Sequence, residues 1–117
     1  MRICVIDDDL VTRQAIARLL PFRDHEVVVY EDSEPALDAE GRFERIDLIL
    51  ADSNMPTPAA RLIGALREMN ANIPILVMSG DFRPENRETY EQMGVAGLID
   101  KPVGLHDLDE AIARVLG

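Results

Sequence analysis

The chain has 117 residues, 47% hydrophobic and 29% charged, with a formal net charge of −10, a composition that is neither disordered nor disulfide-rich and a length that suits one domain with a single core. The acidic balance excludes the phosphate backbone of nucleic acid as a partner of this domain, and no apolar run nears the roughly 20 residues of a membrane span. The one cysteine, Cys4, lies within ICVI and reads as a buried, reduced thiol in a cytoplasmic protein.

RICVI (2–6) opens the chain as a strand candidate. Val11, Ala15 and Leu19 then recur every four residues and predict a helix over 10–20, stopped by Pro21, with Arg13, Gln14, Ala17 and Arg18 facing outward. EVVVY (26–30) is the second strand candidate; Ser33 is expected to cap a helix over 34–40 that Gly41 closes. DLILA (47–51) has no alternation, which predicts a strand buried on both faces that delivers Asp52 to its end. Leu62, Leu66 and Met69 stripe a helix over 58–69, and PILVM (74–78) is the fourth strand. Pro84 and Gly94 bracket a helix over 84–93 whose polar composition predicts the loosest attachment of all. GLI (97–99) is the fifth strand, and Leu105, Leu108, Ile112, Val115 and Leu116 form one face of a last helix, with Asp107 and Arg114 matching its dipole.

Five strands alternating with five helices imply an α/β fold, a parallel sheet covered on both faces through right-handed crossovers, in one domain over 1–117 with no repeat or linker. In such a sheet ligands bind beyond the carboxyl ends of the strands. Asp7, Asp8 and Asp9 stand after the first strand, Asp52 and Asn54 after the third, Ser79 and Gly80 after the fourth, Lys101 and Pro102 after the fifth. Carboxylates so close raise one another's pKa and call for a cation; Mg²⁺ takes one or two carboxylates, waters and a phosphate oxygen. Asp52 would then be a nucleophile able to carry an aspartyl phosphate, with Lys101 and the Ser79 hydroxyl meeting phosphoryl oxygens.

VIDDD (5–9), LILADSNMP (48–56), ILVMSG (75–80) and GLIDKPV (97–103) resemble the receiver domain of two-component response regulators, along the whole chain. The resemblance implies a doubly wound (βα)5, flavodoxin-like three-layer sandwich with strand order 2-1-3-4-5. It implies Asp52 as phosphoacceptor, Mg²⁺ held by Asp7, Asp8, Asp52 and the Asn54 backbone carbonyl, Ser79 as the switch hydroxyl, Lys101 as the phosphate-pairing lysine, and a cis peptide between Lys101 and Pro102. By the same resemblance the phosphodonor is a histidine kinase or phosphotransfer protein and the output an unnamed protein target. No enzymatic activity is implied beyond Mg²⁺-assisted self-phosphorylation and autodephosphorylation, and the protein is expected as a monomer or weak dimer.

Three positions depart from the family pattern. Ala59 and Ala60 stand where receivers usually carry Asp-Gly, Leu98 takes the place of the aromatic switch residue, and Gly80 follows the switch hydroxyl where alanine is usual. The first two support an alternative, a receiver-like domain that binds partners without phosphorylation. A third reading takes DDDLV (7–11) as the start of a haloacid dehalogenase-like phosphatase, with Asp7 as nucleophile, Asp9 as acid/base, and Ser79 and Lys101 as later motifs; it gives Asp52 no role. His25 and His106 read as solvated surface residues, and Met55 and Met78 as core filler.

Overall fold

The Val-, Ile- and Leu-rich segments form five parallel strands, β1 (Arg2–Ile6), β2 (Glu26–Tyr30), β3 (Leu48–Asp52), β4 (Ile75–Ser79) and β5 (Gly97–Asp100), in one sheet of order β2-β1-β3-β4-β5. Five helices connect or follow them: α1 (Leu10–Leu19), α2 (Ser33–Glu40), α3 (Ala59–Glu68), α4 (Pro84–Gln92) and α5 (Leu105–Leu116). The computed structural model describes residues 1–20, 24–53, 58–69, 71–80 and 83–116.

Side chains alternate across a strand, so each strand feeds two cores. Cys4 and Ile6 of β1 join Ile49, Ala51, Ile75 and Val77 beneath α2, α3 and α4, while Ile3 and Val5 join Leu48, Leu50, Leu76 and Met78 beneath α1 and α5. β3 and β4 are buried at every position, as the lack of alternation in their sequences requires. Both run one residue beyond the expected ends: Asp52 pairs in register with Met78, and Ser79 with Asp100. The ladder therefore carries the polar residues themselves to the rim. Cys4 is fully buried, and burial first, then the charge of Glu40, pushes its thiol up to about 12.

Two helix expectations need correction. The core-facing residues are Ile16 of α1 and Leu20 at its C-cap, both fully buried, with Leu19 beside them, whereas Val11 is 72% exposed and Ala15 is also exposed. α1 carries two neighbouring apolar arcs, and the one with the larger side chains is packed. Arg13 and Ala17 are half-buried rather than outward, since the Arg13 guanidinium reaches the Asp7 carbonyl at 2.7 Å. α2 begins at Ser33, which is buried inside the helix; Asp32 occupies the cap position in extended backbone without a side-chain capping bond. Gly41 closes α2 at φ 59°, as expected. Leu62 and Leu66 of α3, and Leu108 and Ile112 of α5, are buried as their spacing requires.

α4 has no buried residue; Tyr90, with Met93 just after the helix, packs partly against the core. The Arg67 guanidinium ties its end down, donating to the Met93 and Gly94 carbonyls at 3.4 and 3.2 Å. Gly94 adopts φ 79°, the left-handed turn that its lack of a Cβ permits. No helix among the described residues is long and apolar enough to cross a membrane.

Candidate functional site

The carboxyl ends of β1, β3, β4 and β5 converge on one acidic cavity of about 650 Å³. At the end of β1 the three consecutive aspartates diverge. Asp7 is fully buried, its backbone N–H donating to the Tyr30 carbonyl at 3.1 Å. Asp8 is exposed at the cavity wall. Asp9 caps α1: its carboxylate accepts from the Val11 N–H at 3.2 Å and the Thr12 hydroxyl at 2.6 Å. The Thr12 bond chiefly holds the Asp9 carboxyl below the usual range, and the Asp9 N–H donates to Asp7 Oδ1 at 2.9 Å.

Asp52 is 5% exposed at the end of β3. Carboxylate oxygens of Asp7, Asp8 and Asp52 all lie within 4.8 Å of one another, the only such group of three metal-ligating side chains among the described residues. Lys101 enters from the end of β5, its Nζ 2.7 Å from Asp7 Oδ2 and 3.5 Å from Asp52 Oδ1. Burial lowers the pKa of this ammonium, but Asp7 and Asp52 beside it raise it by more, so the net shift is upward and the lysine stays charged. Its backbone N–H donates to the Ser79 carbonyl at 2.8 Å, tying β5 to the end of β4, and the peptide between Lys101 and Pro102 is cis, as the resemblance implies. Ser79 is 7% exposed and lines the cavity.

One lysine cannot neutralise three acids. Asp7 Oδ2, although close to the lysine, has no hydrogen bond of ordinary geometry. A hard divalent cation with oxygen ligands fits this donor set, combining clustered carboxylates, a buried oxygen with unused acceptor capacity and an open side toward solvent.

The structure thus brings together Asp7, Asp8, Asp52, Ser79 and Lys101, while Asn54, with Met55, lies outside the described residues. Gly80 is exposed on the cavity wall, with no atom within 4 Å of where a Cβ would stand. Leu98 packs partly against the core under α2, α3 and α4, and Ala59 is buried at the start of α3. His106 has a 91% exposed side chain 3.7 Å from Glu110, a solvated surface residue as expected. Sequence reasoning missed the wall that α4 supplies: Arg83, Asn86 and Tyr90 also line the cavity. Tyr90 carried a usable signal as the one aromatic residue in an otherwise polar helix; Arg83 and Asn86 did not.

A family model described as the response regulator receiver domain matches residues 3–113. The chain is 29% identical over 120 residues to the sensor histidine kinase AruS of Pseudomonas aeruginosa, and 32% identical over 118 residues to the sensory/regulatory protein RpfC of Xanthomonas campestris pv. campestris. These matches cover 98% and 97% of this chain but 12% of AruS and 16% of RpfC, so the chain spans a small part of the length of either. Among solved structures, the Vibrio cholerae chemotaxis protein CheY4 superposes with a TM-score of 0.89 at 26% identity, covering 97% of each chain. With that strand order, an acidic cavity at its carboxyl rim and a family match over nearly its whole length, this chain belongs to the response regulator receiver domain family, the phosphorelay receivers of two-component signalling.

Proposed function

We propose that Asp52 accepts a phosphoryl group from the phosphohistidine of a histidine kinase or phosphotransfer protein in the cytoplasm, and that the modified site alters a protein-binding surface. The observation that carries this is the grouping of Asp7, Asp8 and Asp52 within 4.8 Å, with Lys101 between Asp7 and Asp52. Asp52 Oδ forms the new bond to phosphorus while the bond from phosphorus to the imidazole nitrogen breaks. A carboxylate carries no proton to remove, so the site needs positioning and charge neutralisation rather than a base. Lys101 and the Ser79 hydroxyl meet phosphoryl oxygens. Asp7, Asp8 and Asp52, with the Asn54 backbone carbonyl, would hold Mg²⁺, which supplies positive charge for the phosphoryl oxygens when bound.

Leu10 and Val11, 55% and 72% exposed, set an apolar patch beside Asp8 and Asp9 at the cavity mouth, suited to an apolar face of the phosphodonor. The phosphatase reading loses its acid/base, because Asp9 is engaged as the cap of α1 and its carboxyl is held deprotonated.

Incubation with Mg²⁺ and acetyl phosphate, followed by intact mass, tests the assignment. Covalent phosphate is expected on the unmodified protein and to be lost in Asp52→Ala. Phosphate that still attaches to Asp52→Ala but not to Asp7→Ala would overturn it.

A further inference from the structure

Part of the cavity wall belongs to α4, a helix with no buried residue, so α4 needs a point of attachment at this site if it is to respond to it. Tyr90 is placed for that. It lines the cavity together with Asp52, Ser79 and Lys101, while it also packs against the apolar cluster of β1, β3 and β4 that includes Leu98. It is the only aromatic residue on the cavity wall among the described residues, and the strand position at Leu98 offers no ring or hydroxyl of its own. Burial first, and the charge of Asp52 second, keep the Tyr90 phenol protonated, hence a hydrogen-bond donor.

We propose that Tyr90 is a further phosphoryl-binding residue, donating its hydroxyl to the group carried on Asp52 so that occupancy of the cavity fixes the position of α4. This rests on Asp52 being the phosphoacceptor. A phosphoryl group brings three strong acceptor oxygens into a cavity where Lys101 already serves Asp7, so a third protein donor beside Lys101 and Ser79 has a defined partner. The ring, packed partly against the apolar cluster, holds that donor in place, so a shift of the donor is passed to the helix that carries it.

The chain has two tyrosines, and Tyr30 serves as an internal control because its hydroxyl donates to Glu40 away from the cavity. Beryllofluoride with Mg²⁺ is the probe, and its bound ¹⁹F resonance reports occupancy independently of either ring. On binding, the Tyr90 ring resonances, assigned by their loss in Tyr90→Phe, are expected to shift several-fold more than those of Tyr30, and amides of 84–92 to exchange more slowly. Tyr90→Phe, which keeps the ring and its packing, should leave the thermal midpoint nearly unchanged, weaken beryllofluoride roughly tenfold, as loss of one hydrogen bond to a charged acceptor does, and abolish the slowing over 84–92. Bound beryllofluoride with an unmoved Tyr90, or equal affinity in Tyr90→Phe, overturns the role of Tyr90 and leaves Asp52 as phosphoacceptor intact. No bound resonance in the unmodified protein overturns both.

Discussion

Replacing Lys101 by methionine keeps most of the side chain's apolar length and removes its charge. The ammonium is 2.7 Å from Asp7 Oδ2 and 3.5 Å from Asp52 Oδ1, with side-chain exposures of 18% for the lysine, 0% for Asp7 and 7% for Asp52. At an effective dielectric constant of about 20 these separations correspond to gross attractions of about 6 and about 5 kcal/mol. The cost of burying the ammonium offsets much of that, and removing one partner of a buried ion pair typically destabilises by about 3 to 5 kcal/mol. For a chain of this size one kcal/mol moves the midpoint by about 4 °C, so Lys101→Met should lower it by roughly 12 to 20 °C. Thermal unfolding followed by circular dichroism, with and without millimolar Mg²⁺, is the assay. Mg²⁺ should restore more stability to the variant than it adds to the unmodified protein, because the acids have then lost their resident positive charge. A fall below about 4 °C, or an equal response to Mg²⁺ in both proteins, would refute the view that Lys101 compensates this cluster.

Two glycines should respond with opposite signs. Gly80→Ala meets open space and needs no unusual backbone, so it should stabilise by about 0.5 kcal/mol through the unfolded chain, whereas Gly94→Ala, at φ 79°, should destabilise by about 1 kcal/mol; urea midpoints check both. Stability should also fall steeply in alkali. The fold favours the protonated forms of Cys4, raised from 9.0 to about 12, and Tyr30, raised from 10.0 to about 12 chiefly by its bond to Glu40. Their contribution is therefore complete below pH 9 and is lost as pH climbs from 9 toward 12. Cys4→Ala should flatten the decline in urea midpoint between pH 8 and 11; an unchanged slope would contradict the assignment. Amides of 84–92 should exchange fastest among the helices, and Arg67→Ala, which removes the bonds to Met93 and Gly94, should speed them further at less than about 1 kcal/mol of global cost.

Much of the fold was legible because its signals are redundant. Each strand has an apolar run at its centre, and α3 and α5 each have one apolar stripe with polar residues opposite, so the spacing of Leu62 and Leu66, or of Leu108 and Ile112, points one way. α1 was misread because Val11 and Ile16 head two adjacent apolar arcs, and periodicity ranks them equally. Packing with Ile3, Val5, Leu48 and Leu50 of the sheet decides for Ile16 and Leu20. The start of α2 was misplaced by one residue because Asp32 and Ser33 are both favoured caps, and burial of Ser33 settles the boundary. At the cavity, the residues carried by strand ends were legible, since a strand's end fixes where they emerge. The wall built by α4 was not, because Arg83, Asn86 and Tyr90 reach the cavity through the placement of a whole helix, which no local pattern encodes.

The three aspartates after β1 carry one chemical identity and three different burdens. Deleting any one of them produces the same shortened protein, so a single-codon loss here has one phenotype regardless of which codon is lost. The backbone bond from Asp7 to Tyr30 keeps the first acid in place, and the shortfall then moves down the chain until Leu10 occupies the position where Asp9 now meets Val11 and Thr12. Such a deletion would preserve two acids at the sheet's rim and unravel the first turn of α1, separating the chemistry of the acids from the integrity of the helix that follows them.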